Sequence, residues 1–295
     1  VLDFKPLGEG ETADVYGFTL GRHLTARIIT KSASEADLAS EAVHKMKECN
    51  LAPATMLLFP AEANALKRDI LILEEPTGET LSAENFDDRV LSDLVVELLR
   101  LHHCRRAKVV DPADLLHKLR EYSAAVLAHL ERQLPLLAPG FQNLVAAMEE
   151  YLLANQGIFR VRQSLVHGDL YWANVLVTPE GGAVLIDWLG LDYADYCLDL
   201  ATFRVGFLRC TQRRKCFGDG APVEAYYRRL LEIYRQTFDD RTLARRLRLY
   251  LPLVHIGDVY AFLRGAKDPA DELDGKVVTY LEETRRWFEQ DAGRG

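Results

Sequence analysis

The sequence is poor in the features that mark several protein classes. Its five cysteines in 295 residues are an odd number, widely scattered and without a Cys-x-x-Cys pair. A disulfide scaffold or a zinc site is therefore not expected, and we predict buried, reduced thiols. No stretch of the chain is apolar over the length needed to cross a bilayer. The first residues, VLDFKPLGEG, also lack the basic and apolar regions of a signal peptide. We therefore expect a cytoplasmic protein that neither spans nor binds a membrane.

Positive charge is also scarce. The chain has 36 Lys and Arg against 44 Asp and Glu, which gives a formal net charge of −8. Sequence-independent binding of nucleic acid requires a basic face, so this balance argues against a nucleic-acid partner. A net negative charge is instead compatible with a cationic ligand. With 48% hydrophobic and 27% charged residues, the composition is typical of a globular protein that buries a sizeable core.

The pattern of apolar residues changes along the chain. The first part contains short β-branched, aromatic or apolar runs with one helical pattern between them: strands at 4–7, 14–20, 24–30 and 67–75, and a helix at 34–49. The rest is mostly helical, with β-like runs between residues 164 and 189 and helical patterns at 90–103, 113–134 and 223–289. This order predicts an α+β fold of two unequal lobes with a cleft between them. We expect a small N-lobe over residues 1–75, with an antiparallel sheet and one main helix, and a larger, mostly helical C-lobe over residues 76–295.

The strongest chemical signal lies in the β-like runs. SLVHGDLYWANVLV places Asn174 five residues after Asp169, and VLIDWLG places Asp187 thirteen residues after Asn174. Phosphoryl transfer needs a carboxylate that orients and deprotonates the attacking hydroxyl, together with metal ions held against the phosphates. Because Mg²⁺ prefers hard oxygen ligands, amide and carboxylate oxygens suit it. By this chemistry, Asp169 fits the catalytic base, and Asn174 and Asp187 fit the Mg²⁺ ligands, whereas an isolated HGD would be a turn aspartate and a buried histidine.

These motifs resemble those of the aminoglycoside phosphotransferase and choline kinase family, which is related to the protein kinases. The family pattern HGDxxxxN followed by IDW is intact, and further elements stand in family order over most of the chain: LGEGETADVY, LILEEPTGETL, LLRLHH and DLA. The resemblance implies a protein-kinase-like fold that uses ATP and Mg²⁺ to phosphorylate a hydroxyl of a small molecule. It also implies that His167 belongs to the catalytic loop as a support for its backbone rather than as a proton carrier.

The nucleotide-binding residues are also implied by the resemblance. LGEGETADVY resembles the loop that covers the phosphates, which assigns Gly8, Gly10 and Thr12 to it. Glu41 resembles the ion-pairing glutamate of the first helix, and Glu75 borders the predicted hinge that binds adenine. A dinucleotide-binding fingerprint would run from a strand into a helix. These glycines instead precede the strand-like run DVYGFTL, so the context excludes that alternative.

Two positions depart from the family pattern. Ala13 stands where a third glycine is expected, and Arg27 stands where the family has its phosphate-binding lysine. Lys31 is the other candidate, because a residue four positions later lies on the same face of an extended strand. We favour Arg27, although its forked guanidinium differs from the point charge of lysine. The departures keep a second class of function open, a nucleotide-binding regulatory module with weak or no turnover.

The acceptor is constrained mainly by the short interval after Asp187. Asp199 follows only twelve positions after it, and no Ala-Pro-Glu comes later, which leaves little room for the segment that supports a peptide substrate in protein kinases. We therefore expect a small-molecule acceptor such as an aminoglycoside, an amino alcohol, a sugar or a hydroxy amino acid. Nearby aromatic and acidic residues could contact it, although core packing or solvation would equally explain them: Trp172, Trp188, Tyr193, Asp192, Asp195, Asp271, Glu272 and Asp274.

Overall fold

The computed structural model describes residues 5–9, 13–19, 23–29, 41–42, 44–46, 48–49, 56–59, 70–74, 76–82, 84–212, 221–265 and 270–290. Predictions for Gly10, Thr12, Lys31 and Glu75 lie outside these residues. The chain divides into two compact units, Val1–Cys104 with Leu165–Tyr193 and Arg105–Ser164 with Ala194–Gly295. The lobe boundary at residue 75 stays a prediction.

An antiparallel sheet of five strands begins the first unit. The strands lie in the order β1-β2-β3-β5-β4 and are β1 (Lys5–Glu9), β2 (Ala13–Thr19), β3 (His23–Ile29), β4 (Met56–Phe59) and β5 (Ile70–Glu74). β2 and β3 pair along their full length, from Ala13 opposite Ile29 to Thr19 opposite His23. β1, β2, β3 and β5 confirm the predicted strands, whereas the sequence pattern did not predict β4.

Among the described residues, the first unit also contains two α-helical stretches. Residues 41–42, 44–46 and 48 are helical and are called the helical segment 41–48 below. The second stretch, α1, spans Asp88–His103. α1 begins after Asp87, whose carboxylate accepts hydrogen bonds from the backbone N–H groups of Arg89 and Val90, both at 2.9 Å. Its apolar residues recur at helical spacing and are buried: Val90, Leu91, Leu94, Val95, Leu98 and Leu101.

A second, smaller sheet positions the segments that carry the predicted catalytic residues. Its order is β10-β9-β6, with β6 at Glu79–Thr80, β9 at Val175–Val177 and β10 at Ala183–Leu185. β9 and β10 pair antiparallel, and the N–H of Ile186 donates to the carbonyl of Asn174 at 3.0 Å. The residue before β9 and the residues after β10 therefore lie side by side, which brings the Asn174 and Asp187 segments together.

The second unit is mostly helical. β7 (Arg105–Val109) pairs with the start of β8 (Arg162–Val166), and the last two residues of β8 belong to the first unit. The helices are α2 (Pro112–Gln133), α3 (Ala138–Ala154), α4 (Gln156–Phe159), α5 (Cys197–Gln212), α6 (Ala221–Thr237), α7 (Leu243–Gly265) and α8 (Ala270–Gln290). α7 packs against α2, α5 and α8. The predicted helical patterns are confirmed by α1, α2 and the helices after residue 220. No described helix is long and apolar enough to cross a membrane.

A buried ionic network lies inside the second unit. Arg246 of α7 is 0% exposed and forms ion pairs with Asp195 and Asp240. Its Nη2 atom also lies 3.2 Å from the hydroxyl of Tyr196. A buried charge is tolerated only when it is paired and hydrogen-bonded. The network therefore ties the residues that precede α5 to the start of α7, and burial raises the pKa of the neighbouring Cys197 thiol well above its usual value.

Candidate active site

The predicted base and one predicted metal ligand are hydrogen-bonded to each other. The side-chain nitrogen of Asn174 donates to the backbone carbonyl of Asp169 at 2.8 Å and to its carboxylate at 3.0 Å. Since both of these oxygens only accept hydrogen bonds, the NH₂ group of Asn174 must face Asp169. The amide oxygen is then the atom of Asn174 that can bind a cation. Asn174 ends the short 3₁₀ turn Trp172–Asn174, which fixes this geometry at the start of β9.

His167 contacts the backbone beside the other predicted metal ligand. Its side chain is fully buried, and Nε2 lies 2.8 Å from the carbonyl oxygen of Ile186, the residue before Asp187. Its ring centroid lies 5.0 Å from that of Trp188. A buried imidazole that bonds a backbone carbonyl is suited to hold two segments together. This contact supports the predicted backbone-supporting role of His167.

Two glycines allow the Asp169 and Asp187 segments to approach closely. Gly168 has φ = +79°, and a Cβ atom there would lie 2.0 Å from the carbonyl oxygen of Gly190. A Cβ atom at Gly190 would lie 2.9 Å from the carbonyl oxygen of His167. Real Cβ atoms do not approach backbone oxygens so closely. Only glycine therefore fits at Gly168, directly before the predicted base.

Asp187 has an unusual backbone conformation. It follows β10 and precedes the 3₁₀ turn Trp188–Gly190, with φ = 62° and ψ = 63° in the left-handed region. A residue other than glycine in such a region costs on the order of 1–3 kcal/mol and persists where its surroundings impose it. Such residues cluster at functional sites, so the conformation agrees with a special role for this carboxylate.

The side chains of Asn174 and Asp187 suit a magnesium ion by their chemistry. Among the described residues, no three His, Cys, Asp or Glu side chains form a group that could hold a metal. Mg²⁺ does not require such a group, because it keeps several waters and binds through one or two protein oxygens together with substrate phosphates. An amide oxygen and a carboxylate are therefore a fitting donor set for Mg²⁺ bound to a nucleotide.

Comparison with known proteins identifies the family. The model of the phosphotransferase enzyme family matches residues 3–253. The chain belongs to this family. This bears out the predicted family resemblance. No curated protein sequence matches this chain significantly.

Solved structures similar to this chain include both kinds of kinase that the sequence resembles. ADP-bound aminoglycoside phosphotransferase APH(2'')-Ib is 16% identical and has a TM-score of 0.62, with 97% of this chain and 94% of that chain covered. Choline kinase LicA from Streptococcus pneumoniae is 17% identical with a TM-score of 0.63, covering 96% and 93%. The GDP complex of aminoglycoside 2'-phosphotransferase-IIIa is 16% identical with a TM-score of 0.65, also covering 96% and 93%. At these identities the likeness establishes the fold, and the predicted kinase-like α+β fold is confirmed.

The predicted nucleotide-binding residues are described only in part. Gly8 lies in β1 opposite Val15, and Arg27 lies in β3 between Val15 of β2 and Leu71 of β5. Glu41 forms an ion pair with Lys45, whose Nζ lies 2.9 Å from its Oε1. The side chain of Arg27 is outside the described residues, so its contact with the phosphates stays a prediction.

Most of the described aromatic and acidic candidates for acceptor binding have structural roles. Trp172 is 1% exposed and packs edge-on against Phe86, with ring centroids 5.3 Å apart. Tyr193 is buried too, so neither ring offers a face to an acceptor. Asp192 pairs with Lys45 and Asp195 with Arg246. The side chains of Asp271, Glu272 and Asp274 lie outside the described residues.

The prediction of reduced thiols is wrong for two cysteines. Cys49, at the end of the helical segment 41–48, forms a disulfide with Cys104, directly after α1, and their Cα atoms are 5.7 Å apart. The two residues are 55 positions apart in the sequence, so spacing alone could not pair them. The fold brings both helix ends onto one apolar cluster that includes Met46, Leu101 and Tyr193.

Lys45 is a functional candidate that sequence reasoning missed. It is buried, and its Nζ atom donates to the carbonyl oxygen of Leu191 at 2.9 Å. Its position between Ala42 and Met46, which are both buried, places a lysine on the apolar face of an amphipathic helix. A lysine within an apolar stripe was the available signal, because lysine is rarely buried without a partner.

Proposed function

We propose that the chain is an ATP-dependent kinase that transfers the γ-phosphate of ATP to a hydroxyl group of a small molecule. The observation that carries the proposal is the pair of hydrogen bonds from Asn174 to Asp169, beside the Asp187 segment. A regulatory module without turnover has no chemical need for this arrangement. The same three residues are the base and the two metal ligands that the sequence predicts.

Asp169 is assigned the role of general base. It orients the acceptor hydroxyl and takes its proton as the hydroxyl oxygen attacks the γ-phosphorus. The bond between the γ-phosphorus and the bridging oxygen breaks, and ADP is the second product. Asn174 keeps the Asp169 carboxylate in one orientation through its donated hydrogen bond, and His167 anchors the backbone beside Asp187.

Asn174 and Asp187 are the residues that would hold Mg²⁺. When bound, the ion would neutralise charge on the phosphate oxygens. The amide oxygen of Asn174 is left available by the bonds that its nitrogen makes to Asp169. The carboxylate of Asp187 is presented by a backbone held in the left-handed region.

The acceptor that we propose is a cationic small molecule with a hydroxyl group. Structurally similar proteins include aminoglycoside phosphotransferases and a choline kinase, and streptomycin is bound in the ternary complex of one of them. The net charge of −8 suits an amine or quaternary ammonium. Sugars and hydroxy amino acids are the next classes to test, and because some of the similar structures contain GDP, GTP should be compared with ATP.

The decisive test is turnover of Mg-ATP against a panel of acceptors, in the wild type and in Asp169→Asn. We expect a phosphorylated product with at least one acceptor, and a fall in kcat of about 10²- to 10⁴-fold in the variant, because the general base is lost. Asp114→Asn is the matched control, since Asp114 is exposed in the first turn of α2, and it should keep wild-type turnover. Full activity in Asp169→Asn would contradict the assignment. Nucleotide binding without any turnover would favour the regulatory module.

A further inference from the structure

The ammonium group of Lys45 is buried and has three oxygen partners. Lys45 is 5% exposed, and Nζ lies 2.9 Å from the carbonyl oxygen of Leu191, 3.1 Å from Oδ1 of Asp192 and 2.9 Å from Oε1 of Glu41. An ammonium group has three N–H donors, so three acceptors use all of them. The two carboxylate side chains are themselves largely exposed. The buried acceptor is thus the backbone carbonyl of Leu191.

Leu191 ends the turn that begins at Asp187. The N–H of Leu191 donates to the carbonyl of Trp188 at 3.2 Å and closes the turn Trp188–Gly190. Gly190, inside this turn, packs against the backbone of His167 and against Asp169. Lys45 therefore holds one end of a five-residue segment whose other end is the proposed metal ligand, and whose middle contacts the catalytic loop.

Packing alone does not explain a lysine at this position. The surrounding cluster is apolar and includes Ala42, Met46, Leu165, Leu191 and Tyr193. Removing an ammonium group from water is costly, and an apolar side chain of similar length would fill the same space without that cost. What an apolar side chain cannot supply is a directed hydrogen bond to the carbonyl of Leu191.

We propose that Lys45 is a positioning residue, which keeps the turn after Asp187 in the conformation that binds the metal. The inference rests on the proposed function, since it concerns the same Mg²⁺ and nucleotide. Without Lys45, the Leu191 carbonyl and the Asp192 carboxylate lose their anchor on the helical segment 41–48. Asp187 is then no longer held in its left-handed backbone conformation, and Mg²⁺ binds less tightly.

The test measures nucleotide affinity with and without Mg²⁺ by calorimetry, using a non-hydrolysable ATP analogue and the variant Lys45→Met. In the wild type we expect Mg²⁺ to strengthen binding. In Lys45→Met we expect this strengthening to fall by about 10- to 100-fold, the usual effect of removing a group that orients a metal ligand. The readout is the ratio of the affinities with and without Mg²⁺, because Lys45 also pairs with Glu41, a predicted nucleotide-binding residue, and its loss can change both affinities. Lys118→Met, which removes an exposed lysine of α2, should match the wild type.

A second variant covers the case in which Lys45→Met does not fold. Asp192→Asn changes an exposed partner of the same ammonium group, and a smaller fall in the effect of Mg²⁺ is expected. If the folded variants respond to Mg²⁺ as the wild type does, the role of Lys45 is wrong and the proposed function stands. If the wild type binds no nucleotide in the presence of Mg²⁺, the proposed function fails and this inference fails with it.

Discussion

The conformation of single residues determines how closely the proposed catalytic loop, which contains Asp169, can approach the turn after Asp187. Gly168 is the clearest case, because its positive φ and its distance to the Gly190 carbonyl both exclude a side chain. We predict that Gly168→Ala lowers kcat by about 100-fold, since a displacement of about 1 Å at a catalytic group has effects of that size. Alanine in this left-handed conformation should also make the free energy of unfolding of the variant about 1–3 kcal/mol lower than that of the wild type. Steady-state kinetics and denaturant unfolding measure the two effects.

Gly140→Ala is the matched control for this substitution. Gly140 lies in α3, and no atom beyond its chain neighbours and its own helix backbone would lie within 4 Å of a Cβ atom there. Because alanine favours a helix over glycine by about 1 kcal/mol, this variant should be as stable as the wild type or more so. Wild-type turnover in Gly168→Ala would show that the two segments can separate without loss of function.

Single residues also mark the limit of what the sequence could predict. The Asp169, Asn174 and Asp187 segments were identified because their spacing is local and matches a family pattern, and they lie close together. The contacts of Lys45 with Leu191 and Asp192 join positions 146 and 147 residues apart. No periodicity in the sequence carries information about such a pair. For the same reason, Trp172 could not be distinguished from a ligand-stacking residue until its burial was known.

Elements were predicted well where they carry their own apolar pattern. α1 and α2 have long amphipathic stripes and N-caps at Asp87 and Asp111, so their sequences specify them locally. β7, with the sequence RRAKV, is exposed at all five positions and shows no alternation. It exists as a strand because it pairs with β8, and a strand formed by a tertiary partner cannot be read from its own residues.

The disulfide between Cys49 and Cys104 links the helical segment 41–48 to the end of α1. We predict that a reducing agent lowers the free energy of unfolding by about 4 kcal/mol at most, the loop-closure entropy for a separation of 55 residues. Denaturant unfolding with and without dithiothreitol measures this difference. Cys104→Ser should be as unstable as the reduced wild type and should not respond to the reagent. Identical unfolding curves for the wild type in both conditions would show that the crosslink contributes nothing.

At the scale of the whole molecule, acid stability should depend on the buried network in the second unit. Burial by itself raises the pKa of Asp240, but the guanidinium of Arg246 and hydrogen bonds from Tyr196 and Thr242 outweigh it and lower the pKa below its usual value. A carboxyl with a lowered pKa in the folded state stabilises the fold above its unfolded pKa of about 3.9. That stabilisation is lost as the pH falls further, through the folded pKa.

We therefore predict that the free energy of unfolding of the wild type falls steeply below about pH 4, and that Asp240→Asn flattens this dependence. At neutral pH the same variant should be less stable by about 1–3 kcal/mol, because the buried Arg246 loses one of its two carboxylate partners and keeps Asp195. Asp239→Asn is the control, since the neighbouring Asp239 is exposed and lies 3.9 Å from Arg241. An unchanged acid transition in Asp240→Asn would assign the acid sensitivity to other carboxyl groups.

Composition constrained the molecule as a whole less well than motif spacing constrained the site. The absence of basic excess and of long apolar runs argued against nucleic-acid and membrane partners, and those arguments stay predictions. The scattered cysteines led to the wrong expectation for Cys49 and Cys104. Since disulfides are rare in reducing compartments, this bond runs against the predicted cytoplasmic location.

The same bond changes the connectivity of the first unit. Between Cys49 and Cys104 the backbone runs through β4, β5 and the whole of α1, and the disulfide closes this path into a covalent ring. A single peptide-bond cleavage anywhere in the ring would therefore leave the chain as one covalent molecule. New chain ends in this stretch would therefore leave the segment that contains Glu41 and Lys45 covalently linked to the segment that contains Asp169 and Asp187. An inserted loop would leave the same link intact.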